Sequence, residues 1–197
     1  MKKIDGHTFD DTLLTGGWVI DAGCRGFEFF TALYPKQCYC IDIENISPVN
    51  HWQHQLTFRH AALTAKSGET EAYLFGNGTA NFIKGINEKP GDLPDRPLKI
   101  ETVKCITLED IYAEIGTNID LLKLDIEGAE YEVLLGMKDP IPKQISCEFH
   151  RHCHLSMHNK YFDEVMQRMH KNYHITFNQV EPSEYFLDVL FIRKDLL

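Results

Sequence analysis

The chain's 197 residues are 43% hydrophobic and 25% charged, a composition that excludes a disordered, collagenous or fibrous polymer and suits one domain burying roughly 70% of its extended surface. Its 29 acidic and 20 basic side chains leave a formal net charge of -9, which disfavours nucleic acid as a partner. No apolar run approaches a bilayer span and no secretion signal opens the chain; a cytoplasmic protein is expected, its six cysteines read mainly as buried thiols.

Residues 1–17 read as a short polar amino-terminal extension and 18–197 as the domain. Trp18 to Asp21 is a buried strand entering a tight turn at Gly23 and Gly26. Phe27, Phe29, Phe30 and Leu33 supply the apolar face of a short helix stopped by Pro35, and Cys38 to Ile43 is a second strand ending in acid. Strand, helix, strand at this spacing predicts a right-handed crossover and a parallel sheet. Leu56 to Leu63 and Glu71 to Phe75 read as further strands, and the glycine- and proline-rich stretch from Gly76 to Pro97 as a surface loop, a candidate lid.

Ile100 to Ile106 resumes an extended pattern, Thr107 caps a short helix through Ile111, and Ile119 to Asp125 reads as a central strand. Tyr131 to Leu135 forms a helical face ended by Gly136, and Ile145 to Phe149 is the next strand. Leu155 to Met169 marks a helix whose aromatic and methionine positions are core contacts. Tyr173 to Phe177 and Tyr185 to Ile192 close the chain as an antiparallel pair.

Two blocks carry chemistry. In the first, Asp21-Ala22-Gly23-Cys24-Arg25-Gly26 lies between a strand and a helix, where glycine permits close ligand approach and the helix offers unpaired amides to an anion. Asp42, 19 residues after Gly23 at the end of the next strand, is suited to accept from a ribose diol, with Glu44 as a competing acid. The dinucleotide pattern G-x-G-x-x-G is absent, which argues against a nicotinamide cofactor. The second block, Leu122-Lys123-Leu124-Asp125-Ile126-Glu127-Gly128-Ala129-Glu130, ends an apolar strand in carboxylates beside a permissive glycine turn.

These blocks, with Val19-Ile20-Asp21-Ala22-Gly23 and the later Glu148-Phe149-His150, resemble the FkbM family of S-adenosylmethionine-dependent methyltransferases over roughly Trp18 to Arg193. The resemblance implies an α/β, class I methyltransferase (Rossmann-like) fold: a seven-stranded, mostly parallel sheet with one antiparallel strand and helices on both faces. It implies S-adenosyl-L-methionine as cofactor and methyl transfer to a hydroxyl oxygen of a small molecule or carbohydrate. Carried over by position, Asp21, Gly23 and Gly26 form the loop for the methionyl part, Asp42 with Ile43 the ribose end, and Asp125 a pocket residue near the methionyl part. Cys24 and Arg25 depart from the small residue and asparagine usual after Gly23, and Arg25 is suited to lie over the methionyl carboxylate. An N- or protein methyltransferase of the same fold, or an inactive nucleotide-binding protein, is the alternative.

Transfer to a hydroxyl needs a base. His150 is the lead candidate, because it follows a strand and its side chain titrates near neutrality; Glu127 is the second, with Glu148 a candidate to orient His150 and Glu130 a helix cap or substrate contact. The cluster His150-Arg151-His152-Cys153-His154 with His158 raises a metal question, but it matches no familiar ligand framework, and no residue is assigned to a metal. Assembly state is left open.

Overall fold

A computed structural model describes residues 1–33, 36–46, 56–75, 81–85, 97–154, 158–177 and 185–197. Its largest element is a seven-stranded sheet. Strands β3 (Trp18–Ala22), β4 (Cys38–Asp42) and β5 (Leu56–His60) run parallel on one side of β10 (Ile119–Leu124), and β11 (Gln144–His150) runs parallel on the other. Beyond β11 lie β13 (Phe186–Arg193) and then β12 (Tyr173–Phe177), with β13 antiparallel to both neighbours. The spatial order is β12-β13-β11-β10-β3-β4-β5. Strand order reverses between β3 and β10, so a crevice opens outside their carboxyl ends, where open α/β sheets take ligands.

Alternation along the strands feeds two cores. Val19, Cys38, Cys40 and Leu121 pack with Phe29 and Phe30 of α1 (Glu28–Leu33) on one face. Ile20, Tyr39, Ile41, Leu122 and Leu124 pack on the other, against α2 (Leu108–Ile115), α3 (Glu130–Gly136) and α4 (His158–Met169). Every residue of β10 is buried, including Asp120 and Lys123. Asp120 is neutralised by Lys143 at 2.6 Å and by the amides of Gly16 and Gly17, a structural pairing at the strand end remote from the crevice.

Several sequence expectations are revised. Leu56 to Leu63 is not one strand: β5 ends at His60, and β6 (Ala62–Leu63) joins a second, four-stranded sheet of order β6-β9-β7-β8. That sheet is built from β7 (Gly68–Leu74), β8 (Phe82–Ile83) and β9 (Lys99–Ile106), so the Gly76 to Pro97 stretch contains a short strand paired to β7. Residues 76–80 and 86–96, like Leu155 and the segment 178–184, lie outside the described residues. The helix capped by Thr107 runs on to Ile115, its start fixed by a reciprocal capping box with Asp110. Gly136 is the last residue of α3 rather than the residue beyond it.

The first residues form a hairpin. β1 (Lys2–Ile4) and β2 (His7–Phe9) are joined by Asp5 and Gly6, both at positive φ, the twist a two-residue hairpin turn requires. The hairpin packs on β11 and β13, burying Phe9 completely and His7 to 1% exposure.

Candidate functional site

The β3–α1 turn and the β10–α3 turn meet at the crevice. Ala22 pairs with Leu124, and the Asp125 amide donates to the Ala22 carbonyl at 3.2 Å, so Gly23 and Asp125 lie side by side. Gly23 has φ +77°, and a Cβ there would sit 1.8 Å from the Asp125 carbonyl oxygen; only glycine closes this turn. A cavity of about 270 Å³ opens beside it, edged by Arg25, Gly26, Asp42, Ile43, Asp125 and Glu127. Of the ten residues expected to bind the cofactor or act as base, seven, Gly23 among them, thus line this cavity.

The other three sit differently. Asp21 is 1% exposed and faces Lys123 Nζ at 3.2 Å rather than the cavity. Cys24 packs in the apolar cluster under α1, its amide directed to the Ile41 carbonyl, so its side chain is part of the core. His150 is 2% exposed and reaches the crevice from behind, through the carboxylates that surround it.

Asp42 rather than Glu44 edges the cavity. Its carboxylate accepts from the Arg25 amide at 3.1 Å and from the Glu44 amide at 2.8 Å, while Glu44 accepts from Asn81. Burial pushes the Asp42 carboxyl up to about 6 against the pull of those amides and of Lys123.

Lys123, named in the sequence only as part of the second block, organises the site. Its ammonium donates to the Gly23 carbonyl at 2.6 Å and lies 3.2 Å from Asp21 and 3.5 Å from Asp125. Parallel pairing sets it directly opposite Asp21, which explains how a fully buried lysine stays charged: burial opposes the charge, and Asp21 and Asp125 outweigh it. In return, although burial alone would raise the Asp125 carboxyl, the Lys123 ammonium, with His150 behind it, holds it far below the ordinary carboxylate range.

His150 is held in place by Glu130, not by Glu148. Its Nδ1 donates to Glu130 Oε1 at 2.7 Å, and its Nε2 lies 3.4 Å from Glu127 and 3.6 Å from Asp125. Glu130, fully buried, also accepts from the amides of Ile126 and Gly128, so it fastens the turn as well as the imidazole. Burial alone would lower the His150 pKa, but Glu130, then Glu127 and Asp125, push it up to about 10. These carboxylates favour the protonated imidazole, a form with no lone pair to accept a proton. Glu127 has the opposite balance: burial, with Asp125, Glu130 and Glu148 nearby, pushes its carboxyl up to about 7 despite His150. Its backbone adopts φ +50°, uncommon for a side chain of this kind and a form of local strain that concentrates at functional turns.

Within the histidine cluster, the described rings of His150 and His152 lie edge to face with centroids 5.7 Å apart but turn to different partners. His152 turns to the Tyr185 carbonyl, and burial lowers its pKa, while the side chains of His154 and His158 lie outside the described residues. Two mixed groups gather instead around Asp125: His7 with Glu148, and Glu127 with His150, each with donor atoms within 4.8 Å of one another. His7 was missed by sequence reading; the Asp5-Gly6 turn between Ile4 and His7 was the signal that could have placed it on a hairpin.

Against known proteins, the model of the methyltransferase FkbM domain matches residues 20–175. None of the curated proteins matches the chain. Among solved structures, the crystal structure of methyltransferase FkbM from Methylobacillus flagellatus KT at 2.20 Å resolution aligns with a TM-score of 0.53 and 13% identity. The alignment covers 93% of this chain and 46% of that one, so this chain spans less than half the length of that neighbour. At this identity the likeness is one of fold.

Proposed function

The chain belongs to the FkbM methyltransferase family, and from that premise we propose that it is an S-adenosylmethionine-dependent methyltransferase acting on a hydroxyl oxygen of a small molecule or carbohydrate. The class I methyltransferase fold is the reading its sheet order supports, with β13 reversed among otherwise co-directional strands. The observation that carries the proposal is the lining of the cavity: Gly23 against Asp125 at the strand-order reversal, with Asp42 and Glu127 both lining the same space.

The residues present fit the cofactor. The side-chain-free turn at Gly23 leaves room for an amino-acid moiety, Arg25 borders the cavity where a carboxylate needs a cation, and the buried Asp42 is an acceptor for a diol. When bound, S-adenosylmethionine supplies an electrophilic methyl group on a sulfonium. The protein's own tasks are to align the acceptor, exclude water and remove a proton. Glu127 is the group suited to accept the hydroxyl proton, because its affinity for a proton lies close to neutrality. His150, kept charged by Glu130, positions Glu127 and Asp125 rather than serving as the base.

The six cysteines are buried thiols, and no described helix is long and apolar enough to cross a membrane; both are compatible with the proposed cytoplasmic setting. Calorimetric titration with S-adenosylmethionine, followed by mass spectrometry of a panel of sugar, phenol, alcohol and amine acceptors, tests the proposal. A gain of one methyl on oxygen is the expected product. Absence of cofactor binding would overturn the assignment, and methylation confined to amines would move the acceptor to nitrogen.

A further inference from the structure

We propose that the donor cluster where β2, the end of β10 and β11 meet binds one divalent first-row transition cation through His7, Asp125 and Glu148. The three donors come from distant parts of the chain and lie within 4.8 Å of one another. His7 is 1% exposed, and its Nε2 has no hydrogen-bond partner among the described residues. A buried imidazole nitrogen left without a partner is costly unless something else occupies its lone pair. The other ring nitrogen is already engaged, with Nδ1 3.4 Å from Ser146 Oγ, the outer contact that commonly orients a metal-bound histidine.

Distance and charge agree. His7 Nε2 is 3.5 Å from Asp125 Oδ2, too far for a charge-assisted hydrogen bond. Two ligand atoms each roughly 2.1 Å from a shared tetrahedral ion stand roughly 3.4 Å apart, close to the observed separation. Glu148 is paired across the strands with Asp188, and like charges placed directly opposite destabilise a sheet. Lys123 also lies 3.5 Å from Asp125 Oδ2, but it donates at shorter range to Gly23 and Asp21 and, among the described residues, forms no ion pair with Glu148. Nitrogen and carboxylate donors together favour manganese, iron, cobalt or zinc over magnesium.

The consequence for chemistry rests on the methyltransferase reading. Asp125 also edges the cavity, so an ion on it would lie beside the acceptor and lower the pKa of a hydroxyl that coordinates it. It would also give the amino-terminal hairpin a chemical task, since β2 contributes one ligand.

The test uses the full chain without a histidine tag, stripped with chelator and titrated with Mn²⁺ while free ion is followed by electron paramagnetic resonance, with Zn²⁺ as competitor. One site per chain is expected, weakened at least tenfold in both His7→Ala and Glu148→Gln, with circular dichroism confirming that each variant is folded. Should His7→Ala not fold, the half-buried Glu148→Gln decides. Lack of uptake of either metal, or equal uptake in wild type and a folded variant, overturns the site. S-adenosylmethionine binding is measured on the same samples: metal uptake without cofactor binding supports the site and removes the methyltransferase reading, whereas cofactor binding without metal uptake does the reverse.

Discussion

Lys123 and Asp21 face each other across β10 and β3, 3.2 Å apart and both withdrawn from water. The pairing follows from strand register, and it ties the turn at Gly23 to the turn at Asp125 through one ammonium. Removing one member of a buried pair leaves an uncompensated charge and costs about 3–5 kcal/mol. Lys123→Met is therefore expected to destabilise the chain by about that amount in urea unfolding, and adding Asp21→Asn is expected to recover part of the loss. A Lys123→Met protein as stable as wild type would show that the pair does not hold the site.

Gly23→Ala places a methyl group against the Asp125 carbonyl at a left-handed backbone position. A loss of at least about 2 kcal/mol in thermal or urea unfolding is expected, with cofactor binding lost as well. Gly6→Ala, at positive φ but with open space around it, serves as the comparison for backbone strain without the clash.

Glu127 offers a test in which activity and stability move in opposite directions. Burial raises its folded pKa to about 7, above its ordinary value, so its contribution to stability is complete at pH below that ordinary value and lost as pH rises through 7. Glu127→Gln should then be more stable than wild type at pH 8, by on the order of 1 kcal/mol, with little difference at pH 4. Methyl transfer by the same variant should fall by about 10²–10⁴ if Glu127 is the base. Unfolding curves at the two pH values and single-turnover rates measure both.

His150 has the opposite sign of charge but the same direction of shift. Its pKa of about 10 means that the charged imidazole stabilises the fold fully below its ordinary value and that this contribution is lost as pH rises through 10. Its ring resonances should not titrate between pH 5 and 8 by nuclear magnetic resonance. Glu130→Gln removes the largest of its supports, and a titration brought into that window is the expected result. An unchanged profile would contradict the charge assignment.

Asp42 should impose a lower pH limit on cofactor binding. Its carboxyl, raised by burial to about 6, accepts from a diol best when ionised, so affinity for S-adenosylmethionine should weaken as pH falls below about 6. Asp42→Asn should bind more weakly at pH 7.5 and show little of this dependence. Calorimetry between pH 5 and 8 measures the slope.

The parts whose causes are local are legible in the chain before it folds. A glycine turn between an apolar strand and a helix, an acid ending the next strand and a carboxylate-rich turn after the central strand are written in neighbouring residues, and they place Gly23, Asp42 and Asp125 at strand ends. Alternation could not choose between Asp42 and Glu44; the Arg25 amide on Asp42 and Asn81 on Glu44 separate them. Nor could it show that Leu56 to Leu63 divides between two sheets, because the division depends on which partner strands are available on either side of Ala61. The charge states and the contacts behind them come from packing between distant segments: Lys123 as a buried cation, Glu130 as the partner of His150, and His7 brought to Asp125 by a hairpin from the far end of the chain. Those relations arise from cross-strand register and from burial, which act between residues remote in sequence and set proton affinity only once water has been removed.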